Sequence, residues 1–218
     1  MTRSFLGLVM SFQKNMKFTI AVKQNMTQFF DEEGVVHPAT VLSAGPLTVT
    51  QVKTKEKDGY EAVQVASIPQ KKERLSKSVL GHTGDEAFKV IKEFRGSVGD
   101  LQKGANINVD VFQAGDIVTI SGISKGKGFQ GVVKRHGFKG GWGQHGQKHS
   151  MREPGSIGGG GRAGGRVIKG MKMAGRMGSD RITQKNVQVL DVDVENGILL
   201  VKGAVPGRRG TIIEVVQK

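Results

Sequence analysis

A chain of 218 residues with 33 Lys and Arg against 19 Asp and Glu carries a net charge of +14, and a chain this basic seeks a polyanion. It has no cysteine, which excludes disulfides and thiolate metal sites and fits a reducing compartment. Only 37% of the residues are hydrophobic, and no apolar run approaches the roughly 18 residues of a spanning helix, so no membrane partner is expected.

In chain order, residues 1–15 (MTRSFLGLVMSFQKN) place one Arg before a short apolar patch, with no small-residue cleavage site after it. They read as a leader or an over-extended start, and Met16 opens a better-patterned segment. Lys17–Val22, Ala39–Leu42, Thr48–Thr54 and Tyr60–Ala66 read as strands, with Asp58-Gly59 turning between the last two. The period changes over 70–95. There Thr83-Gly84-Asp85-Glu86 matches a capping box, and Ala87, Val90, Ile91 and Phe94 recur at helical spacing. That predicts a small helical insert whose stripe packs inward. Ile117–Ile120 adds a strand. Val187–Val194 alternates with period two, Glu195-Asn196-Gly197 is a hairpin signal, and Ile198–Lys202 and Thr211–Val216 follow as strands. Many short strands separated by turns predict a closed or nearly closed antiparallel barrel, with Val189 and Leu199 in its core.

The stretch from 125 to 181 differs in kind. It holds thirteen cations against two acids, Glu153 and Asp180, and 18 of the 33 glycines; the rest of the chain has a net charge of only +3. With few large aliphatic side chains it cannot bury enough apolar surface to fold alone, and it is expected to order on RNA. Phe129, Phe138 and Trp142 lie among the cations, where aromatic faces stack on bases and Lys and Arg neutralise phosphate. Glycines let the backbone approach phosphates closely in irregular grooves, which suits structured RNA better than regular duplex DNA.

Gly126-Lys127-Gly128-Phe129-Gln130-Gly131 fits a G-x-G-x-x-G nucleotide loop by spelling only. The residues after it, with Gly137, Gly140, Gly141 and Gly143, predict no helix to receive a pyrophosphate, and no ribose-binding acid lies about 20 residues on. The kinase strings H-R-D and D-F-G are absent. The stretch is expected to be a cationic turn where a strand leaves the folded body. His145 and His149, with His136 nearby, invite a metal site, but a glycine loop does not fix them on one face and no carboxylate cluster completes the set. They are expected to contact RNA or solvent, with no metal or cofactor. An enzyme and a DNA-binding or chaperone-like nucleoprotein are the competing classes.

Six stretches carry a resemblance: NMTQFFDEEGVVHPATVL (25–42), GPLTVTQVKTKEKDGYEAVQV (45–65), SKGKGFQGVVKRHGFKGG (124–141), REPGSIG (152–158), RVIKGMKMAGRMGSDRIT (166–183) and ILLVKGAVPGRRG (198–210). In this order they resemble the universal ribosomal large-subunit protein family three, bacterial-type members most closely, with organellar forms the alternative. The resemblance implies a mainly β fold: a translation-protein-type β-barrel over 16–66, 105–124 and 182–218, a small α/β insert (the helical segment 67–104), and a long Gly-rich basic extension over 125–181. It implies binding of large-subunit rRNA near its 3′ region, neighbouring large-subunit proteins as partners, an early role in assembly, and an extension tip near the peptidyl-transferase centre of the cytoplasmic ribosome. No enzymatic role is implied.

The rRNA contacts expected from the matching motifs are Lys125, Lys127, Lys134, Arg135, Lys139, Lys148, Arg152, Arg166, Lys169, Lys172, Arg176 and Arg181, joined by His136, Trp142, His145, His149 and Arg162. Two departures stand out. Asn25-Met26 replaces a common Gly-Met pair, and Gly159, Gly160 and Gly161 follow Gly158 where some bacterial members carry a methylated glutamine. That modification is not expected at the matching site.

Overall fold

The structure, a computed structural model, describes residues 16–84, 86–96, 101–159 and 164–217. The leader 1–15, Asp85 of the expected capping box and Arg162 of the expected rRNA contacts lie outside the described residues. In chain order the elements begin with β1 (Phe18–Phe30), β2 (Val36–Ser43), β3 (Leu47–Lys53), α1 (Lys55–Asp58), β4 (Ala62–Pro69), α2 (Lys77–Thr83), β5 (Phe88–Arg95) and β6 (Asn106–Ile107). They continue with β7 (Ile117–Ile123), β8 (Gly128–Gln130), α3 (Val132–His136), β9 (Gly175–Met177), β10 (Arg181–Asp193), β11 (Ile198–Lys202) and β12 (Ile212–Val216).

Six strands close a barrel in the order β1-β12-β7-β10-β11-β2. A separate four-stranded sheet runs β5-β4-β3-β6. Period-two alternation makes β1 serve both. Its Ala21 points into the barrel core with Leu42, Ile120, Val189, Leu199, Val201 and Ile213, while Phe18 and Ile20 join Leu47, Val49, Val65 and Phe94 on the outside. β12 repeats the device, with Ile213 and Val215 inward and Ile212 and Val216 against the second sheet. The Phe18 and Phe94 rings stack with centroids 4.5 Å apart. Val189 and Leu199 are fully buried, as their alternation predicts.

The second sheet corrects two expectations. β3 and β4 do not belong to the barrel with which their alternation groups them; β3 pairs with β4 and β6. The stripe Ala87, Val90, Ile91 and Phe94 is not helical: it lies on or next to β5, which pairs with β4 from Ala62↔Arg95 to Pro69↔Phe88. Val90 and Phe94 are four apart, so they share a face in either period, and β-branched and aromatic residues favour the strand. The helix of this region is α2, one segment earlier. Its N-cap is Ser76, whose side chain accepts from Val79 N, and Gly84 ends it at φ +71°. Thr83 therefore sits in the last turn, where its hydroxyl faces the carbonyls of Val79, Leu80 and Glu86 instead of capping a helix start. Asp58-Gly59 likewise closes α1, with Gly59 at φ +80°.

Asp116, just before β7, ties that strand to the residue before β1 and the residue after β12. It pairs with Lys17 Nζ at 2.8 Å and accepts from Gln217 Nε2 at 2.9 Å and Gln113 N at 3.0 Å. Partial burial pushes its pKa up, but the hydrogen bonds from Lys17, Gln113 and Gln217 outweigh that and hold it below the ordinary carboxylate value. A depressed folded-state pKa contributes stability that is present above the unfolded value of about 3.9 and is lost as pH falls through the folded one. Asp116→Asn is thus expected to flatten the loss of stability below about pH 4, as read from urea melts across pH. An unchanged acid slope would contradict the assignment.

Two compact units emerge from the packing. One comprises the described residues up to Gly122, Thr183–Val205 and those from Arg209 onward, and it contains the barrel and the second sheet. The other comprises Ile123–Ile182 and Pro206–Arg208.

Candidate nucleic-acid interface

The second unit has almost no apolar core. Among its described residues, Val132 is the one buried hydrophobic side chain. Backbone hydrogen bonds and glycine contacts give it form instead. β8 and β9 pair antiparallel through Gly128↔Met177, Phe129↔Arg176 and Gln130↔Gly175. Lys127 N donates to Met177 O and Ser124 N to Asp180 O, each at 2.9 Å, and so continue the ribbon. At Gly178 the two segments approach so closely that a Cβ would lie 2.2 Å from Lys125 O, and its φ is +78°. No other residue fits there.

The G-x-G-x-x-G stretch is therefore the strand β8 and the N-cap of a helix, not a free turn. α3 follows it directly, contrary to the expectation of no helix, because only five residues are needed before Gly137 stops it at φ +73°. One such turn on an antiparallel ribbon is not the strand–helix crossover of a dinucleotide site.

α3 holds three of the expected RNA contacts, Lys134, Arg135 and His136, and the structure gives the last two an internal partner. Arg135 Nη1 donates to Met173 O at 2.8 Å. His136 Nε2 lies 3.0 Å from the same oxygen, which only accepts, so Nε2 carries the proton. Gly175 makes room for this clamp: a Cβ there would sit 2.6 Å from Arg135 Nη1. Arg135 and His136 are half-buried.

The other expected contacts in the described residues are exposed: Lys125, Lys127, Lys134, Lys139, Lys148, Arg152, Arg166, Lys169, Lys172, Arg176, Arg181, His145 and His149. Trp142 is 84% exposed. Its loop is pinned by Gly141 N donating to Met151 O at 2.9 Å and by Gly140, where a Cβ would meet Met151 O. Glu153 and Asp180 are too few to neutralise these cations, so the surface attracts anions. Among the described residues, no group of three or more His, Cys, Asp or Glu could hold a metal ion.

Phe129 was visible in the sequence as one of the interleaved aromatics, but its setting was not. It is 76% exposed and stands directly opposite Arg176 across the ribbon. Two three-residue strands so far apart along the chain carry no readable period, so only the structure shows the pair.

The comparisons agree with one another. The family model described as Ribosomal protein L3 matches residues 62–195. The large ribosomal subunit protein uL3 of Thioalkalivibrio sulfidiphilus is 50% identical over 194 residues, covering 86% of this chain and 90% of that protein. The protein of the same description from Nocardia farcinica is 48% identical over 200 residues, 90% of each chain. That of Finegoldia magna is 44% identical over 206 residues, covering 92% of this chain and 97% of its own.

Proposed function

The chain belongs to the ribosomal protein L3 family, and on that premise we propose that its second unit binds large-subunit rRNA and holds it in place. The protein is a structural constituent of the large ribosomal subunit and not an enzyme. The observation that carries the rRNA reading is the charge: thirteen cations between 125 and 181, nearly all exposed where described, on a backbone shaped by glycine and not by a core. A surface of that kind binds phosphate through ion pairing and releases counterions as it does so. Arg135 and His136 shape the surface from within, and the outward lysines and arginines meet the RNA.

In finer detail, the unit inserts into irregular rRNA near the 3′ region, joins the subunit early in its assembly, and brings the Trp142 loop toward the peptidyl-transferase centre. The relatives described above are bacterial, which favours the cytoplasmic ribosome over an organellar one. Peptide-bond chemistry belongs to the RNA in this reading, and the protein positions it.

Fractionation tests the placement. Ribosomes pelleted through high salt are expected to keep this chain in the large subunit at the level of its other proteins. Its appearance in the wash, with the pellet depleted, would instead mark a casual nucleic-acid binder.

A further inference from the structure

β1 and β2 are longer than the barrel needs. β12 covers β1 only as far as Val22, opposite Ile212, and β11 covers β2 only from Ala39, opposite Lys202. Just past those points Lys23 still bonds to the backbone of Gly210 and Thr211, and Pro38 O accepts from Gly203 N. From there to the tip the two strands pair with each other, through Phe29↔His37 and Phe30↔Val36. The result is a two-stranded ribbon standing out from the barrel. A ribbon of this kind is marginally stable in water by itself.

This ribbon is nonetheless well organised. Asp31 Oδ1 accepts from Val35 N at 2.8 Å and from Glu33 N at 3.1 Å, and Asp31 Oδ2 lies 3.0 Å from His37 Nε2. Asp31 N donates to Val35 O, and Gly34 N to Asp31 O. The tip is thus fixed before any partner arrives, which lowers the ordering cost of binding.

Its surface is apolar and acidic. Phe30 is 61% exposed, Met26 49%, Val35 49% and Val36 47%. Phe30 and Val36 oppose each other, and side chains at even spacing along β1 put Met26 on the same face. Asp31, Glu32 and Glu33 crown the tip, and residues 25–38 contain no Lys or Arg. That is the opposite sign to the rest of this basic chain. Phosphate repels such a tip, and RNA-binding aromatics work beside cations. An exposed apolar face with a charged rim fits a protein.

We propose that the Met26–Phe30–Val36 face of this ribbon docks a basic protein neighbour in the large subunit, with the Asp31–Glu33 tip meeting the neighbour's Lys and Arg. The inference rests on the chain's place in that subunit. The acidic tip steers the encounter, and the apolar face holds it.

Photo-cross-linking in assembled subunits tests this, with benzoylphenylalanine in place of Phe30 in one variant and of Val36 in another. The expected product joins this chain to a ribosomal protein of positive net charge. With that protein purified, Phe30→Asp with Val36→Asp is expected to weaken its binding at least about tenfold. The thermal midpoint of the free double variant should stay close to that of the parent, because both side chains are exposed. Cross-links to rRNA, to a second copy, within the same chain, or to nothing would overturn the proposal, as would unchanged affinity in the double variant. Absence of the chain from the subunits would overturn the ribosomal placement itself, and the docking with it.

Discussion

Leu199→Ala is expected to destabilise the free protein by about 2–5 kcal/mol, measured by urea denaturation. Leu199 has no exposed surface, and it pairs with Leu42 on one side and Val192 on the other within the barrel core. Truncation removes transfer free energy and leaves a cavity that a closed barrel cannot collapse to fill, since each strand is hydrogen-bonded on both flanks. The informative control is Lys172→Ala. Lys172 is exposed in the unit that lacks an apolar core, and its loss should change stability by less than about 0.5 kcal/mol. Equal losses in the two variants would mean that folding free energy does not reside in the barrel.

The second large effect concerns RNA. Replacing Lys148, Arg152 and Arg166 together with Ala should lower the log–log salt slope of rRNA binding by about two to three, since each phosphate contact contributes roughly 0.7–0.9. All three are exposed in the second unit. Trp142→Ala should act differently. It removes no charge, so the slope should hold, while affinity falls by about 1–3 kcal/mol from lost stacking on a base. Filter binding across a salt series separates the two. A slope that does not move in the triple variant would place the phosphate contacts elsewhere in the chain.

How much of this was legible in the sequence follows from what each segment buries. β10 and β11 could be read because Val187, Val189, Leu199 and Val201 alternate into one core and Asn196-Gly197 turns between them. The outer half of β1 could not. From Asn25 to Phe30 neither face meets the core, so no alternation marks it as a strand. β5 reads as a helix in the sequence because its two buried residues, Val90 and Phe94, satisfy both periods. For the interface, counting charges located the surface, since charge needs no pairing to be seen. It could not show that Arg135 and His136 spend donors on the carbonyl of Met173, a contact across more than thirty residues. Nor could it show that Gly175 and Gly178 serve close packing within the protein in addition to any approach to phosphate.

The order in which the barrel closes has a consequence for synthesis. In the barrel β1 and β7 meet through β12, which pairs Phe18 with Val216 and Val216 with Thr119. Nearly the entire chain must therefore be translated before the sheet loses its edges. At about 5–20 residues per second, β1 waits roughly 10–40 s for that partner. During the interval β2 is the early companion available to it, and its free edge is a template for pairing with other chains. Such late, long-range closure is also slow on its own account, because distant ends must meet before any contact rewards them. A nascent chain of this protein is thus exposed to misassociation until β12 clears the exit, and prompt capture of its cationic unit by RNA would shield it by charge before its barrel is complete.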